Sequence, residues 1–136
     1  MVENIPPRKV WEALQGNPDA RLVDVRTDAE WNFVGIADLS AVGQEPVLIP
    51  WQVYPAMSVN GAFTEHMHRA GLEPRHHLYF LCRSGGRSLA AARAAQAAGF
   101  AHAYNIADGF EGPLDGAGHR GGVGGWKAEG LPWRQK

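Results

Sequence analysis

Short apolar runs alternate with amphipathic stretches along most of the chain. Arg21-Leu22-Val23-Asp24-Val25, Val47-Leu48-Ile49, His77-Leu78-Tyr79-Phe80-Leu81 and Ala103-Tyr104-Asn105-Ile106 read as short buried strands, and Val2 to Ile5 offers one more. Helical patterns fall between them. Pro7 suits a first helical position, and Val10, Trp11 and Leu14 share one face until Gly16-Asn17-Pro18 stops the helix. Thr27-Asp28-Ala29-Glu30 has the spacing of a capping box, which predicts a short helix through Trp31 and Phe33. Phe63, Met67 and Ala70 mark a helix ending at Gly71, and an alanine-rich helix runs from about Gly86 to Ala98. Strands alternating with helices predict an α/β fold, a parallel sheet covered on both faces, whose ligands gather beyond the carboxyl ends of the strands.

One segment breaks the rhythm. Residues 107–125 hold eight glycines and follow neither a helical nor a strand period. A loop of this length in a compact domain is usually functional or disordered. It follows the last strand, so a mobile rim at the ligand end of the sheet is expected, with Phe110, Glu111, His119 and Arg120 as its contact side chains. The following Gly125-Trp126 to Trp133 reads as a short helical turn and a stop, with both tryptophans packing back.

Length and composition narrow the classes. At 136 residues the chain is read as one domain, 1–136, with enough length for a covered sheet. Thirteen Lys+Arg against 14 Asp+Glu leave no electrostatic footprint for nucleic acid and no polybasic membrane patch. No run approaches a membrane span, and the start lacks a signal-peptide core, so the expected location is cytoplasmic. A single cysteine excludes an internal disulfide and a Cys-x-x-Cys redox pair.

That cysteine carries the chemistry. Cys82 opens the run Cys82-Arg83-Ser84-Gly85-Gly86-Arg87-Ser88 between an apolar strand and an alanine-rich helix. A helix N-terminus offers unpaired N–H donors and partial positive charge, which favour a thiolate or an anion attached to it. Gly85 and Gly86 are expected to let the backbone turn inward. Arg83 is placed to attract an anionic donor, and Arg87 to support the loop or meet a leaving group. Ser84 and Ser88 can add hydroxyl donors, although Ser88 also suits a helix cap. Arg26 follows its strand as Cys82 follows its own, so the two are expected close together.

These residues resemble those of rhodanese-like domains. Leu22-Val23-Asp24-Val25-Arg26 with Glu30-Trp31 resembles the family's Asp-Val-Arg segment. Phe80 to Ser88, then an alanine-rich helix and Gly99-Phe100, resembles its active-site loop. Tyr104-Asn105-Ile106 with Gly109, and later Gly125-Trp126 with Gly130-Leu131-Pro132, resembles its C-terminal signature. The resemblance implies a doubly wound five-stranded parallel sheet with helices on both faces. It also implies a thiosulfate sulfurtransferase of the rhodanese type, in which Cys82 takes sulfane sulfur from an anionic donor and passes it from a persulfide to a thiol or cyanide. Position by position, Cys82 matches the persulfide carrier, Arg83, Ser84, Gly85, Gly86, Arg87 and Ser88 match the binding loop, and Asp24 and Arg26 match a supporting pair. Val34-Gly35-Ile36-Ala37-Asp38-Leu39 departs from the family's Gly-His-Ile-Pro-Gly-Ala, and 107–125 is longer than the usual turn.

Two other classes stay open. A phosphatase or arsenate reductase of the same fold would use Cys-x5-Arg, whereas this chain has Cys82-x4-Arg87, a smaller ring better suited to one sulfur anion. A binding module without chemistry would have no use for the thiol. No cofactor or metal is expected: His66 and His68 stand two apart on a helix, and His76 and His77 point to opposite faces of a strand. The expected partners are a small sulfur donor and a thiol or cyanide acceptor, a protein thiol included, with no nucleic acid and no membrane.

Overall fold

The computed structural model describes residues 2–53 and 58–136. The main sheet comprises β1 (Asn4–Ile5), β2 (Ala20–Asp24), β4 (Val47–Leu48), β7 (His77–Leu81) and β8 (Ala103–Ile106). Its strands are all parallel, in the order β1-β8-β7-β2-β4. This is the expected doubly wound five-stranded sheet, and each strand lies within a residue or two of its sequence-predicted place.

The central strands β2 and β7 are buried on both faces, so alternate residues feed two cores. Val23, Leu78 and Phe80 pack with Phe63 and Met67 of α3 (Phe63–Arg69) and with Ala91, Ala92 and Ala95 of α4 (Gly86–Ala97). Leu22, Tyr79, Leu81 and Ile106 pack on the other face with Val10 and Leu14 of α1 (Pro7–Gly16). Phe110, Trp126 and Leu131 complete that second core, which makes the irregular C-terminal segment a structural layer. The alanines of α4 let the helix lie close on the sheet, which holds the cysteine loop at its N-terminus against β7.

The capping box at α2 (Asp28–Phe33) forms as expected: Thr27 accepts from the Glu30 N–H, and Glu30 accepts from the Thr27 N–H. Two small antiparallel pairs were not predicted, β3 (Ile36–Ala37) with β9 (Trp133–Arg134) and β5 (Gln52–Val53) with β6 (Ser58–Val59). Two-residue strands carry too little alternation to register as a pattern. The β3–β9 pair places Trp133 against the chain, 38% exposed and half-covered by Lys127, whose Nζ lies 3.9 Å from its ring centroid. Trp126, by contrast, is fully buried and donates to Pro132 O at 2.6 Å.

Candidate active site

Cys82 is the first residue beyond β7, and α4 begins four residues later. The turn between them depends on Gly85, whose φ of +117° is readily adopted only without a Cβ. Gly86, expected to share that duty, is an ordinary first helical residue. The Cys82 thiol is buried, and its Sγ accepts from the Gly85 N–H at 3.1 Å. Ser88 Oγ lies 3.2 Å from the same sulfur. Ser88 is therefore not the N-cap, a position Gly85 occupies; its hydroxyl faces the sulfur from the helix's first turn. Ser84 is exposed, and the hydroxyl contact to sulfur comes from Ser88.

Behind Ser88 stands a residue the motif does not advertise. Asn105, buried on β8, has its Oδ1 in short contact with Ser88 Oγ. Its Nδ2 donates to Asn4 Oδ1 at 2.8 Å and to Gly85 O at 3.2 Å. With both amide hydrogens used, Oδ1 can only face Ser88. The hydroxyl thus sits between an amide oxygen and the sulfur: it donates to Asn105 when the sulfur is a thiol and is available to a thiolate. The parallel neighbours β1, β8 and β7 bring Asn4, Asn105 and Cys82 together, a juxtaposition invisible in one dimension.

Arg87 and Glu30 form a bidentate pair, with bonds of 2.7 and 2.9 Å, that clamps α2 to the start of α4. Burial pushes the Glu30 carboxyl up, but the Arg87 hydrogen bonds and charge, with help from Thr27, outweigh it and hold the group below the usual carboxylate value. The Arg87 guanidinium is raised by its hydrogen bond to Glu30 against the opposing effect of burial. Of the two roles open to Arg87, loop support is what the geometry displays. Arg83 is exposed beside the cysteine.

Asp24 and Arg26 are fully buried and bonded to each other at 2.7 Å, and Arg26 also donates to Gly35 O at 2.7 Å. The guanidinium stacks on Phe110, 4.3 Å from the ring centroid. Val25 N–H donates to Leu81 O, so the two strand ends adjoin as expected. The pair holds the base of the site together and does not face the cleft.

Residues 107–125 correct one expectation. The root of this segment is tied to the cysteine loop, with Phe110 N–H donating to Cys82 O at 2.8 Å and Glu111 and Gly112 N–H both donating to Arg83 O. Gly109 sits so close that a Cβ there would lie 2.4 Å from Cys82 O. Phe110, expected to contact a ligand, is core. Glu111, Leu114, His119 and Arg120 do border the site: with Arg83, Arg87, Glu30 and Val34 they line an open cleft of about 980 Å³. The histidines hold no metal arrangement among the described residues. His77 stacks on His102, and His76 Nδ1 accepts from the Glu73 N–H. No described helix is long and apolar enough to cross a membrane.

A family profile described as the STR4 middle domain matches residues 4–136. The chain belongs to that family. A solved structure of Rv0390 from M. tuberculosis is similar to this member of the STR4 middle domain family at 49% identity and a TM-score of 0.90, over 99% of this chain and 98% of that one. A polysulfide-sulfur transferase homodimer from Wolinella succinogenes matches at 22% identity and a TM-score of 0.65, over 99% and 80%. A rhodanese-related protein from Thermoplasma volcanium matches at 18% and 0.62, over 98% and 99%. These last two show the fold alone: the STR4 middle domain here is rhodanese-like. A protein of unknown function from Rhodopseudomonas palustris, described as a possible tyrosine phosphatase, shares that fold at 21% identity and a TM-score of 0.60, over 98% of this chain and 85% of that one.

Proposed function

We propose that this protein is a sulfurtransferase that carries sulfane sulfur as a persulfide on Cys82. The observation that supports it most is the surrounding of one sulfur atom. Gly85 N–H and the Ser88 hydroxyl both reach Sγ, within a loop that closes on Arg87 after only four intervening residues. The first amides of α4 lack intrahelical acceptors and add to the anion-favouring field. A thiolate in that place can attack the outer sulfur of thiosulfate. The Cys82 Sγ–S bond forms as the donor's S–S bond breaks, and sulfite leaves with the electron pair. The persulfide sulfur is anionic and is held by the loop donors, as an oxyanion hole holds developing charge. A nucleophilic acceptor then takes the outer sulfur, and Cys82 returns to thiolate.

The other residues take roles that fit this chemistry. Arg83, exposed beside Cys82, meets the dianionic donor. Arg87, engaged with Glu30, Asp24 with Arg26, and Asn105 behind Ser88 hold the loop in shape. A phosphatase would require a guanidinium free to grip two phosphoryl oxygens; here the loop's closing arginine already grips Glu30. The test is intact mass after exposure to thiosulfate. Wild type should gain one sulfur, Cys82→Ser should gain none, and cyanide should remove the adduct as thiocyanate. Wild type that gains no sulfur from thiosulfate, polysulfide or mercaptopyruvate refutes the proposal.

A further inference from the structure

We infer that the cleft bordered by Arg83 and Arg87 of the cysteine loop accepts a low-molecular-weight thiol bearing a carboxylate remote from its sulfur, and that Arg120 is the anchor for that carboxylate. The inference rests on the sulfur-transfer reading and names the acceptor it would serve. Cyanide would leave most of this open cleft of about 980 Å³ unfilled.

The charges on the cleft wall are unequal in availability. Arg87 is neutralised by Glu30, and Arg83, which directly follows Cys82, is the residue assigned above to the donor. Arg120 stands on the 107–125 wall and uses one nitrogen, Nη1, to donate to Gly112 O at 2.7 Å. The remaining donors of its planar fork match a carboxylate. Its place relative to the sulfur is fixed by a short relay, because Gly112 N–H donates to Arg83 O at 3.1 Å. Gly121 N–H donates to Glu111 O and pins the other side of Arg120. An arginine tethered in this way is pre-organised, so little side-chain freedom is lost on binding.

The rest of the wall agrees with such a ligand. Val34 and Leu114 offer apolar surface for a methylene chain between thiol and carboxylate. Glu111 faces the same cleft and disfavours an anion placed anywhere but at an arginine. In the transfer, the acceptor thiolate attacks the outer persulfide sulfur. A new S–S bond forms, the Cys82 Sγ–S bond breaks with its electron pair going to Cys82, and the acceptor leaves as a persulfide.

The experiment uses full-length protein loaded with sulfur and verified by intact mass. Acceptors are the series from mercaptopropionate to mercaptooctanoate and the primary amide of each, compared at equal thiolate concentration. For at least one chain length the acid should exceed its amide by about tenfold in kcat/KM, chiefly through KM, the expected size of one charge-assisted contact. Arg120→Gln, which retains a donor for Gly112 O, should bring that ratio close to one, and Arg120→Lys should restore part of it. Because the readout is a ratio within each variant, any damage to the cysteine loop cancels. A loaded wild type that shows no acid preference, or a preference that survives Arg120→Gln, overturns this inference alone. A protein that takes up no sulfur overturns the sulfur-transfer reading and this inference with it.

Discussion

The Arg87–Glu30 clamp offers the sharpest energetic test. Arg87→Ala removes two charge-assisted bonds of 2.7 and 2.9 Å between side chains that are 19% and 20% exposed. An exposed pair is worth about 0–1 kcal/mol, while breaking a buried one costs about 3–5 kcal/mol. This pair lies between those limits. Glu30 would retain the Thr27 N–H and hydroxyl as donors, so its carboxylate is not abandoned. A coupling of about 2 kcal/mol follows, or a fall of about 6 °C in Tm for a domain of this size. The assay is a double-mutant cycle of Arg87→Ala and Glu30→Gln by urea unfolding. Because the folded state holds the Glu30 carboxyl below its free value of 4.5, the coupling is complete above that pH and disappears as pH falls through the lower folded-state value. It should be largest near neutral pH and shrink progressively as the pH is lowered below that free value. In sulfur transfer, Arg87→Ala should lower kcat through the disturbed loop and leave the KM for thiosulfate little changed. A coupling under about 0.5 kcal/mol at neutral pH, or one that grows on acidification, refutes the reasoning. A KM effect that exceeds the kcat effect would return Arg87 to the donor.

Gly109→Ala places a Cβ 2.4 Å from Cys82 O in a residue with φ of +64°, and should destabilise the fold by about 3 kcal/mol or more in denaturant titration while lowering activity. An activity and midpoint equal to wild type would show that the 109 turn can move away from the loop. Arg26→Met leaves the Asp24 carboxylate buried without its partner and should cost about 3–5 kcal/mol, read as a lower urea midpoint. A loss under about 1 kcal/mol would show water reaching Asp24. Ser88→Ala removes the hydroxyl 3.2 Å from Sγ and leaves the buried Asn105 Oδ1 without its donor, so it should slow sulfur transfer to cyanide about tenfold and cost about 1–3 kcal/mol of stability. Equal rates would leave Gly85 N–H as the donor that matters.

The sheet, its two helical layers and the cysteine loop were legible in the sequence because each rests on local rules. Strand burial shows as apolar runs at 22–25 and 77–81, the α2 start as a capping box, and the Cys82 turn as glycine between strand and helix. The same local rules left some residues open or misassigned them. Ser88 read as a hydroxyl donor or as a helix cap, and Gly85 holds the cap position, which leaves Ser88 in the first role. Phe110 read as a rim side chain in a glycine-rich stretch, yet it is core, because Arg26 beneath the sheet end needs an aromatic face. What the sequence determined by itself is the single cysteine and the size of its loop. Only the tertiary structure decided what surrounds it: parallel pairing of β1, β8 and β7 aligned Asn4 and Asn105 behind Ser88, and packing of α2 against α4 engaged Arg87 with Glu30, 57 residues away. Such pairings depend on which strands adjoin and at what register, and no window along the chain contains both partners.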